Sequence, residues 1–269
     1  MIQKILFPVD FSPSCEAMAP YVKRAAAMFG SRVTLVHVCD LASHNGFELL
    51  VRAPLEIAEE HLRIAEEKFN SFLASDFPAA TCQRILRAGE AAAEIAEVAR
   101  ADGFDLIIMP THAGRFRRML LGATTAKVLN DAECPVMTTE HAEELVPRPL
   151  EHRVWACAIG LSQDSERVLR VATRAAAAVG AKLSVIHATS EDAEKDARRR
   201  LEELLRTVGC EAEVHIAIGP VKQALLQAAC RSAVDALIIG RVPRTGALGR
   251  MRDLTYSMVR DSPFPVLSV

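Results

Sequence analysis

The chain contains two copies of one sequence pattern, and this internal repeat constrains the fold more than any other feature. Two pairs of segments match at an offset of 150 residues: KILFPVDFS (4–12) with VWACAIGLS (154–162), and FGSRVTLVHV (29–38) with VGAKLSVIHA (179–188). Three later pairs match at an offset of 130: GEAAAEIAEVAR (89–100) with GPVKQALLQAAC (219–230), DLIIMP (105–110) with DALIIG (235–240), and CPVMTT (134–139) with FPVLSV (264–269). Self-similarity on this scale predicts two similar domains in tandem.

The difference between the two offsets predicts an insertion in the first copy, at about 39–65. The proline-containing segment EELVPRPLEHR (143–153) has the composition of a linker. We therefore predict a first domain over 1–146 and a second over 147–269. The insertion leaves from the carboxyl end of the second predicted strand, as a lid or as an arm that packs on the second copy, and its length does not distinguish these two roles.

Each copy alternates apolar runs with helical patterns. In the first copy, KILFPV, RVTLVHV, TCQRILRAG, FDLIIMP and CPVMTT predict five buried strands. Between them, apolar residues at helical spacing predict helices that include about 55–74, 90–101 and 124–131. Ser12 followed by Pro13 is typical of a helix start, and Gly30 of a helix end. The alternation predicts an α/β fold: two tandem, open-twisted, Rossmann-like domains, each a five-stranded parallel sheet with helices on both faces.

Composition narrows the class of protein. Half of the residues are hydrophobic, the net charge is −2 and aromatic residues make up 5%, so the totals give no support to nucleic-acid binding. The seven cysteines form no CxxC pair and no cluster with histidine, which argues against a disulfide framework or a zinc site. With no signal-peptide pattern and no long apolar run, we expect a cytoplasmic protein without membrane contact.

Several motifs together resemble the universal stress protein family. They are ILFPVDFSP (5–13), THAGRFRRMLLGATTAKVL (111–129), DAECPVMT (131–138) and, in the second copy, IGRVPRTGALGRMRDLTYSMVRDSPFPVLSV (239–269). The resemblance implies a fold like that of the adenine-nucleotide α-hydrolases. It also implies that the two domains pair within the chain through their final strands, as a pseudo-dimer. Whether the chain pairs again into a homodimer, and with which other proteins it interacts, stays open.

Many members of this family bind ATP, so the resemblance implies a nucleotide site in the first domain, at the carboxyl ends of the strands. We predict binding of ATP or AMP, with Mg²⁺ only as a companion of the nucleotide. The candidate residues are Val9, Asp10, Val38, Met109, Pro110, His112, Gly114, Gly122, Ala123, Thr124 and Thr125. Each has a structural alternative as well: Asp10 as a turn residue, His112 as a solvated loop residue, and Gly122 and Thr124 as a helix start.

The loop after the fourth strand departs from the ATP-binding pattern G-x2-G-x9-G-[ST]. Pro110 stands at the first glycine position and has no amide to donate. From Ala113 or Gly114 to Gly122 there are eight or seven intervening residues instead of nine, and Ala123 precedes the hydroxyl of Thr124. These departures predict a weakened phosphate site.

The second copy departs further, and we predict no nucleotide there. Gly160 replaces the aspartate, while Arg252 and Asp253 stand where glycine and a hydroxyl are expected. An acidic side chain at a helix N-terminus takes the place of a phosphate and repels one. For Arg241, Arg244, Arg250 and Arg252, the sequence predicts inter-domain or surface ion pairs.

Three functions follow from these patterns. The first is a non-enzymatic stress-response module with at most one weak ATP or AMP site. The second is a ligand-free structural or interaction protein. The third is an ATP-hydrolysing or adenylyl-transferring enzyme, which is disfavoured because the chain has neither SGGxDS nor HxGH and no evident catalytic triad.

Overall fold

A computed structural model describes residues 2–39, 54–111, 121–139, 153–241 and 249–269. Within these ranges, the first half of the chain contains five strands and four helices in alternation: β1 (Lys4–Pro8), α1 (Pro13–Phe29), β2 (Arg32–Cys39), α2 (Pro54–Ser71), β3 (Gln83–Ala88), α3 (Ala91–Ala101), β4 (Leu106–Pro110), α4 (Ala123–Asp131) and β5 (Val136–Thr139). The predicted boundary near 146 and most of the predicted insertion lie outside the described residues.

The second half repeats this order. It contains β6 (Val154–Ala158), α5 (Ser165–Ala178), β7 (Lys182–Thr189), α6 (Glu194–Val208), β8 (Glu213–Ile218), α7 (Val221–Arg231), β9 (Ala236–Ile239), α8 (Gly249–Asp261) and β10 (Val266–Ser268). A 3₁₀ turn over Glu191–Ala193 precedes α6. The predicted α/β order is confirmed, and helix α2 ends three residues earlier than the pattern suggested.

All ten strands form one continuous sheet in the order β3-β2-β1-β4-β5-β10-β9-β6-β7-β8. Within each half the strands are parallel, and the halves meet where β5 and β10 pair antiparallel. The register at the junction places Leu267 opposite Met137. The predicted pairing through the final strands is therefore confirmed, and it joins two five-stranded sheets into one.

Helices cover both faces of the sheet. One face packs on α1, α2, α5 and α6, with Phe7, Met18 and Trp155 among its fully buried side chains. The opposite face packs on α3, α4, α7 and α8, with Ile107 and Leu237 in its core. Because both faces of each central strand are buried, the strands are continuous apolar runs rather than alternating ones.

Local signals in the sequence set the ends of α1. The Ser12 side chain accepts a hydrogen bond from the amide of Cys15, and Pro13 occupies the first helical position, where no amide is needed. Gly30 ends the helix with a φ of 66°, a left-handed conformation that costs glycine little. The short segment before α1 is thereby fixed at the carboxyl end of β1, the edge where ligands bind in such sheets.

Arg241, at the end of β9, links the two halves beyond the sheet. Its guanidinium donates to the backbone carbonyls of Leu129 at 3.1 Å and Cys134 at 2.7 Å. The Tyr256 hydroxyl adds a bond of 3.2 Å to the carbonyl of Ala126 in α4. Burial lowers the pKa of Arg241 to about 10, so the group stays charged at neutral pH. The inter-domain role predicted for Arg241 is correct, but these bonds go to carbonyls of the first half rather than to an acidic side chain.

Among the described residues, none of the helices has the length and apolar character needed to cross a membrane.

Candidate functional site

A cavity of about 540 Å³ opens in the first half, where the carboxyl ends of β1, β2 and β4 meet the first turns of α3 and α4. It brings together nine of the predicted site residues: Val9, Asp10, Val38, Met109, Pro110, Gly122, Ala123, Thr124 and Thr125. The two others, His112 and Gly114, lie outside the described residues.

Asp10 is the exposed carboxylate of this cavity, and two hydrogen bonds orient it. Its Oδ1 accepts from the amide of Ser12 at 3.0 Å and from the thiol of Cys15 at 3.0 Å. Burial, and then the negative charge of Asp10, raise the pKa of Cys15, so the thiol keeps its proton and acts as the donor. Phe11, with a φ of 61°, turns the chain sharply between β1 and α1. The carboxylate is therefore fixed at the mouth while remaining accessible to a ligand.

His37, which also lines the cavity, is held by the backbone of β1. Its Nδ1 lies 2.8 Å from the carbonyl oxygen of Val9. Because a carbonyl can only accept, Nδ1 carries the proton in this bond, and Nε2 is the ring's remaining acceptor in the neutral form. Burial lowers the pKa of His37, so the neutral form predominates at neutral pH. The ring packs against Phe11 at a centroid distance of 4.1 Å.

Helix α4 points its N-terminus at the cavity. Gly122 is its N-cap and supplies no side-chain oxygen, so the amides of the first turn lack the usual capping partner. Such amides and the positive end of the helix dipole favour an anion. Thr125 is different, because its buried hydroxyl donates to the carbonyl of Pro110 at 3.0 Å. That hydroxyl ties α4 to β4, whereas Thr124 remains half-buried at the cavity wall.

Six lining residues were absent from the sequence-based set: Pro8, Cys15, Val36, His37, Ala91 and Ile95. A signal for His37 existed in the repeat, since both copies carry a histidine at this point, His37 and His187. The bond from Cys15 to Asp10 had no such signal, because it depends on the turn at Phe11.

A second cavity, of about 530 Å³, lies at the corresponding place in the second half. Nδ1 of His187 lies 2.7 Å from the carbonyl oxygen of Ile159, which repeats the bond between His37 and Val9. Leu161, with a φ of 53°, repeats the turn at Phe11. Gly160 stands in place of Asp10, so the carboxylate of the first cavity has no counterpart at this position.

Within the described parts of the chain, no group of three or more His, Cys, Asp or Glu side chains is arranged to hold a metal ion. Asp10 is the carboxylate among the described lining residues of the first cavity. A magnesium ion there would depend on the phosphates of a nucleotide and on water for most of its ligands.

Comparison with known proteins shows similarity over one half of the chain and over its whole length. The sequence profile of the Universal stress protein family matches residues 1–139. Universal stress protein A homolog 2 of Coxiella burnetii is 29% identical over 138 residues, which cover 50% of this chain and 92% of that protein. A universal stress protein of Methanocaldococcus jannaschii is 28% identical over 155 residues, covering 52% of this chain and 96% of that protein.

The crystal structure of a universal stress protein from Archaeoglobus fulgidus aligns with 100% of this chain and 98% of its own, with a TM-score of 0.74 and 24% identity. A functionally unknown protein from Pseudomonas aeruginosa aligns with 100% of this chain and 92% of its own, with a TM-score of 0.68 and 19% identity. These two likenesses concern the fold. With its repeated sheet and the profile match over 1–139, the chain belongs to the universal stress protein family.

Proposed function

We propose that the chain is a non-enzymatic, cytoplasmic stress-response module that senses adenine nucleotide through one weak site in domain 1, the predicted domain over 1–146. The observation that carries the proposal is the first cavity, in which an exposed carboxylate and an uncapped helix N-terminus face the same space. Its volume of about 540 Å³ falls within the range of roughly 300–1,000 Å³ that is usual for small-molecule sites.

The arrangement offers a nucleotide two kinds of contact. The carboxylate of Asp10 accepts hydrogen bonds, and sugar hydroxyl groups are donors of that kind. The first amides of α4 donate, and phosphate oxygens are suitable acceptors. Val9, Val38 and Met109 give the cavity an apolar wall for a base.

Two features support a weak site rather than a strong one. Pro110 has no amide to direct at a phosphate. The hydroxyl of Thr125 already donates to the carbonyl of Pro110. We therefore expect dissociation constants of about 0.1–1 mM for ATP or AMP.

Calorimetric titration with ATP or AMP, with and without Mg²⁺, tests this proposal. We expect one site per chain, and at least tenfold weaker binding in Asp10→Ala. The matched control is Gly160→Ala in domain 2, the predicted domain over 147–269, because the added methyl group meets no atom within 4 Å. The control should bind nucleotide as the native chain does.

Three results would contradict the proposal, and two of them identify a replacement. No heat at millimolar nucleotide would leave the ligand-free interaction protein as the better reading. Steady release of phosphate or pyrophosphate above background would favour an enzyme. Two equivalent nucleotide sites per chain would contradict the restriction to domain 1.

A further inference from the structure

The two cavities differ by a coupled pair of replacements. In domain 1 the thiol of Cys15 donates to the carboxylate of Asp10. At the corresponding positions, 150 residues later, domain 2 has Ser165 and Gly160. Ser165 thus keeps a hydrogen-bond donor, a hydroxyl in place of the thiol, whereas Gly160 has no side chain to replace the accepting carboxylate.

Among the described residues, the hydroxyl of Ser165 consequently has no hydrogen-bond partner. The residue is 5% exposed, it lines the second cavity, and its Oγ is fully buried. Beside it, the Cβ of a side chain at position 160 would meet no atom within 4 Å, so the place of the missing carboxylate is open space. A buried hydroxyl without a partner is costly. Because Ser165 also lines the cavity, a group bound there is in a position to complete the bond.

The described lining of the second cavity is largely apolar. At two lining positions the residue is more apolar than its counterpart in domain 1. At an offset of 130, Val221 replaces Ala91 and Leu254 replaces Thr124. The remaining apolar residues of the lining are Ala158, Ile159, Val168, Ala188, Leu225, Ile239 and Met258.

The mouth of this cavity is also apolar. Val221 is 46% exposed, and Ile218, at the carboxyl end of β8 just before it, is 48% exposed. Their counterparts in domain 1 are Ala88 and Ala91. Among the described residues, the third large hydrophobic side chain with such exposure is Ile64, on α2.

Among the described lining residues, the charged groups of the second cavity do not favour an anion. Arg241 lines it, but both terminal nitrogens of its guanidinium donate to carbonyls of the first half of the chain. Asp164, at the N-terminus of α5, forms an ion pair with Arg167 at 3.8 Å, so this pair adds no net positive charge that would attract phosphate. Nδ1 of His187 is bound to the carbonyl of Ile159.

From these observations we infer that the domain 2 cavity binds a small, uncharged and mostly apolar molecule that forms one hydrogen bond with the hydroxyl of Ser165. Its volume of about 530 Å³ suits a ligand of one to three rings or a short aliphatic chain with a polar end group. The inference is independent of nucleotide binding in domain 1.

Fluorescence titration of the full chain with N-phenyl-1-naphthylamine, a neutral apolar probe with one N–H group, tests the inference. We expect one probe molecule per chain, with a dissociation constant on the order of 10 μM. Val221→Glu should weaken binding at least tenfold, because it places a charge at the apolar mouth. Glutamate in the first turn of α7 suits the helix dipole, so the fold should tolerate it.

Ile64→Glu is the matched control. It makes the same kind of change at a side chain of similar exposure, 49%, away from both cavities. It should leave probe binding unchanged, and this separates the cavity from general adhesion to exposed apolar side chains. Equal weakening by both variants would overturn the inference, as would the absence of probe binding.

Ser165→Ala tests the hydrogen bond itself. We expect about fivefold weaker probe binding with an unchanged or higher Tm, because the hydroxyl has no protein partner to lose. Unchanged affinity, or a clear fall in Tm, would overturn the role given to Ser165. Displacement of the probe by ATP at a one-to-one ratio would show that the cavity is a nucleotide site after all.

Discussion

The two halves of this chain contain cavities of nearly equal volume, about 540 and 530 Å³, at the same point of the fold but with different linings. What they share belongs to the scaffold: a histidine bonded to a strand carbonyl and a positive-φ turn after the first strand. What differs lies at the mouth, where Asp10 becomes Gly160 and Ala91 becomes Val221. The comparison teaches that the lining of a cavity can change at a few positions while the order of strands and helices around it stays the same.

The largest expected effect concerns Arg241 of domain 2, which corresponds to Thr111 of domain 1. Arg241→Met leaves the carbonyls of Leu129 and Cys134 without their donor. We expect a loss of about 2–4 kcal/mol in the free energy of unfolding, measured by urea denaturation. Thr111→Val is the control, because the buried Thr111 hydroxyl has no hydrogen-bond partner in the described part of the chain. Similar losses in both variants would show that Arg241 does not hold the halves together.

A second pair of variants compares the two glycines of the domain 2 cavity. In Gly240→Ala the new methyl carbon would lie 2.9 Å from Cγ2 of Val168, so the branched side chain has to shift. We expect about 1–3 kcal/mol of destabilisation for this variant. Gly160→Ala, whose methyl meets open space, should change the free energy of unfolding by less than about 0.5 kcal/mol. Equal urea midpoints for the two variants would contradict the packing described here.

Introducing the carboxylate–thiol pair of domain 1 into the domain 2 cavity tests whether this pair decides which ligand the cavity accepts. Gly160→Asp combined with Ser165→Cys recreates the pair formed by Asp10 and Cys15. A carboxylate in an apolar cavity disfavours an uncharged ligand, so binding of N-phenyl-1-naphthylamine should weaken about tenfold, or about 1.4 kcal/mol. Fluorescence titration of the double variant measures this change. Full retention of probe binding would mean that the missing carboxylate does not decide which ligand is accepted.

The smallest expected effect is the pH dependence that His37 contributes. Burial lowers its pKa in the folded chain below the ordinary value of 6.5. The unfolded state therefore binds a proton at a higher pH than the folded state does. The contribution to stability is fully present above about pH 6.5 and is lost as the pH falls through the lowered pKa.

The stability advantage of the native chain over His37→Gln, measured by urea denaturation between pH 7.5 and 5, should accordingly shrink toward acid. An advantage that grows toward acid would contradict the lowered pKa.

The sequence allowed much of the fold to be predicted, because the two copies confirm each other. A run such as KILFPV could be a buried strand or part of a buried helix, but its match with VWACAI at the same place in the second copy favours one repeated unit. The antiparallel register of β5 and β10 could not be read from either copy, because it depends on the shape of the complete sheet.

The candidate site could be predicted to the level of which residues lie near each other. Asp10, Val38 and Met109 follow or end neighbouring parallel strands, and such ends meet at one edge. The hydrogen bonds within the site could not be predicted from the sequence, because tertiary packing fixes the rotamer of Thr125 and the turn at Phe11. The sequence did not mark Ser165 as a candidate binding residue either, because its lack of a hydrogen-bond partner can be seen only in the three-dimensional structure.

Because β5 and β10 pair antiparallel, the parallel strands of one half of the sheet run in the opposite direction to those of the other half. Their carboxyl edges therefore lie at opposite ends of the molecule, and the two cavities open in opposite directions. Helix α4, with 9 residues and a length of about 13 Å, begins at the first cavity and ends near the carbonyls held by Arg241 of the second. A single short helix thus runs from the first cavity to a residue that lines the second.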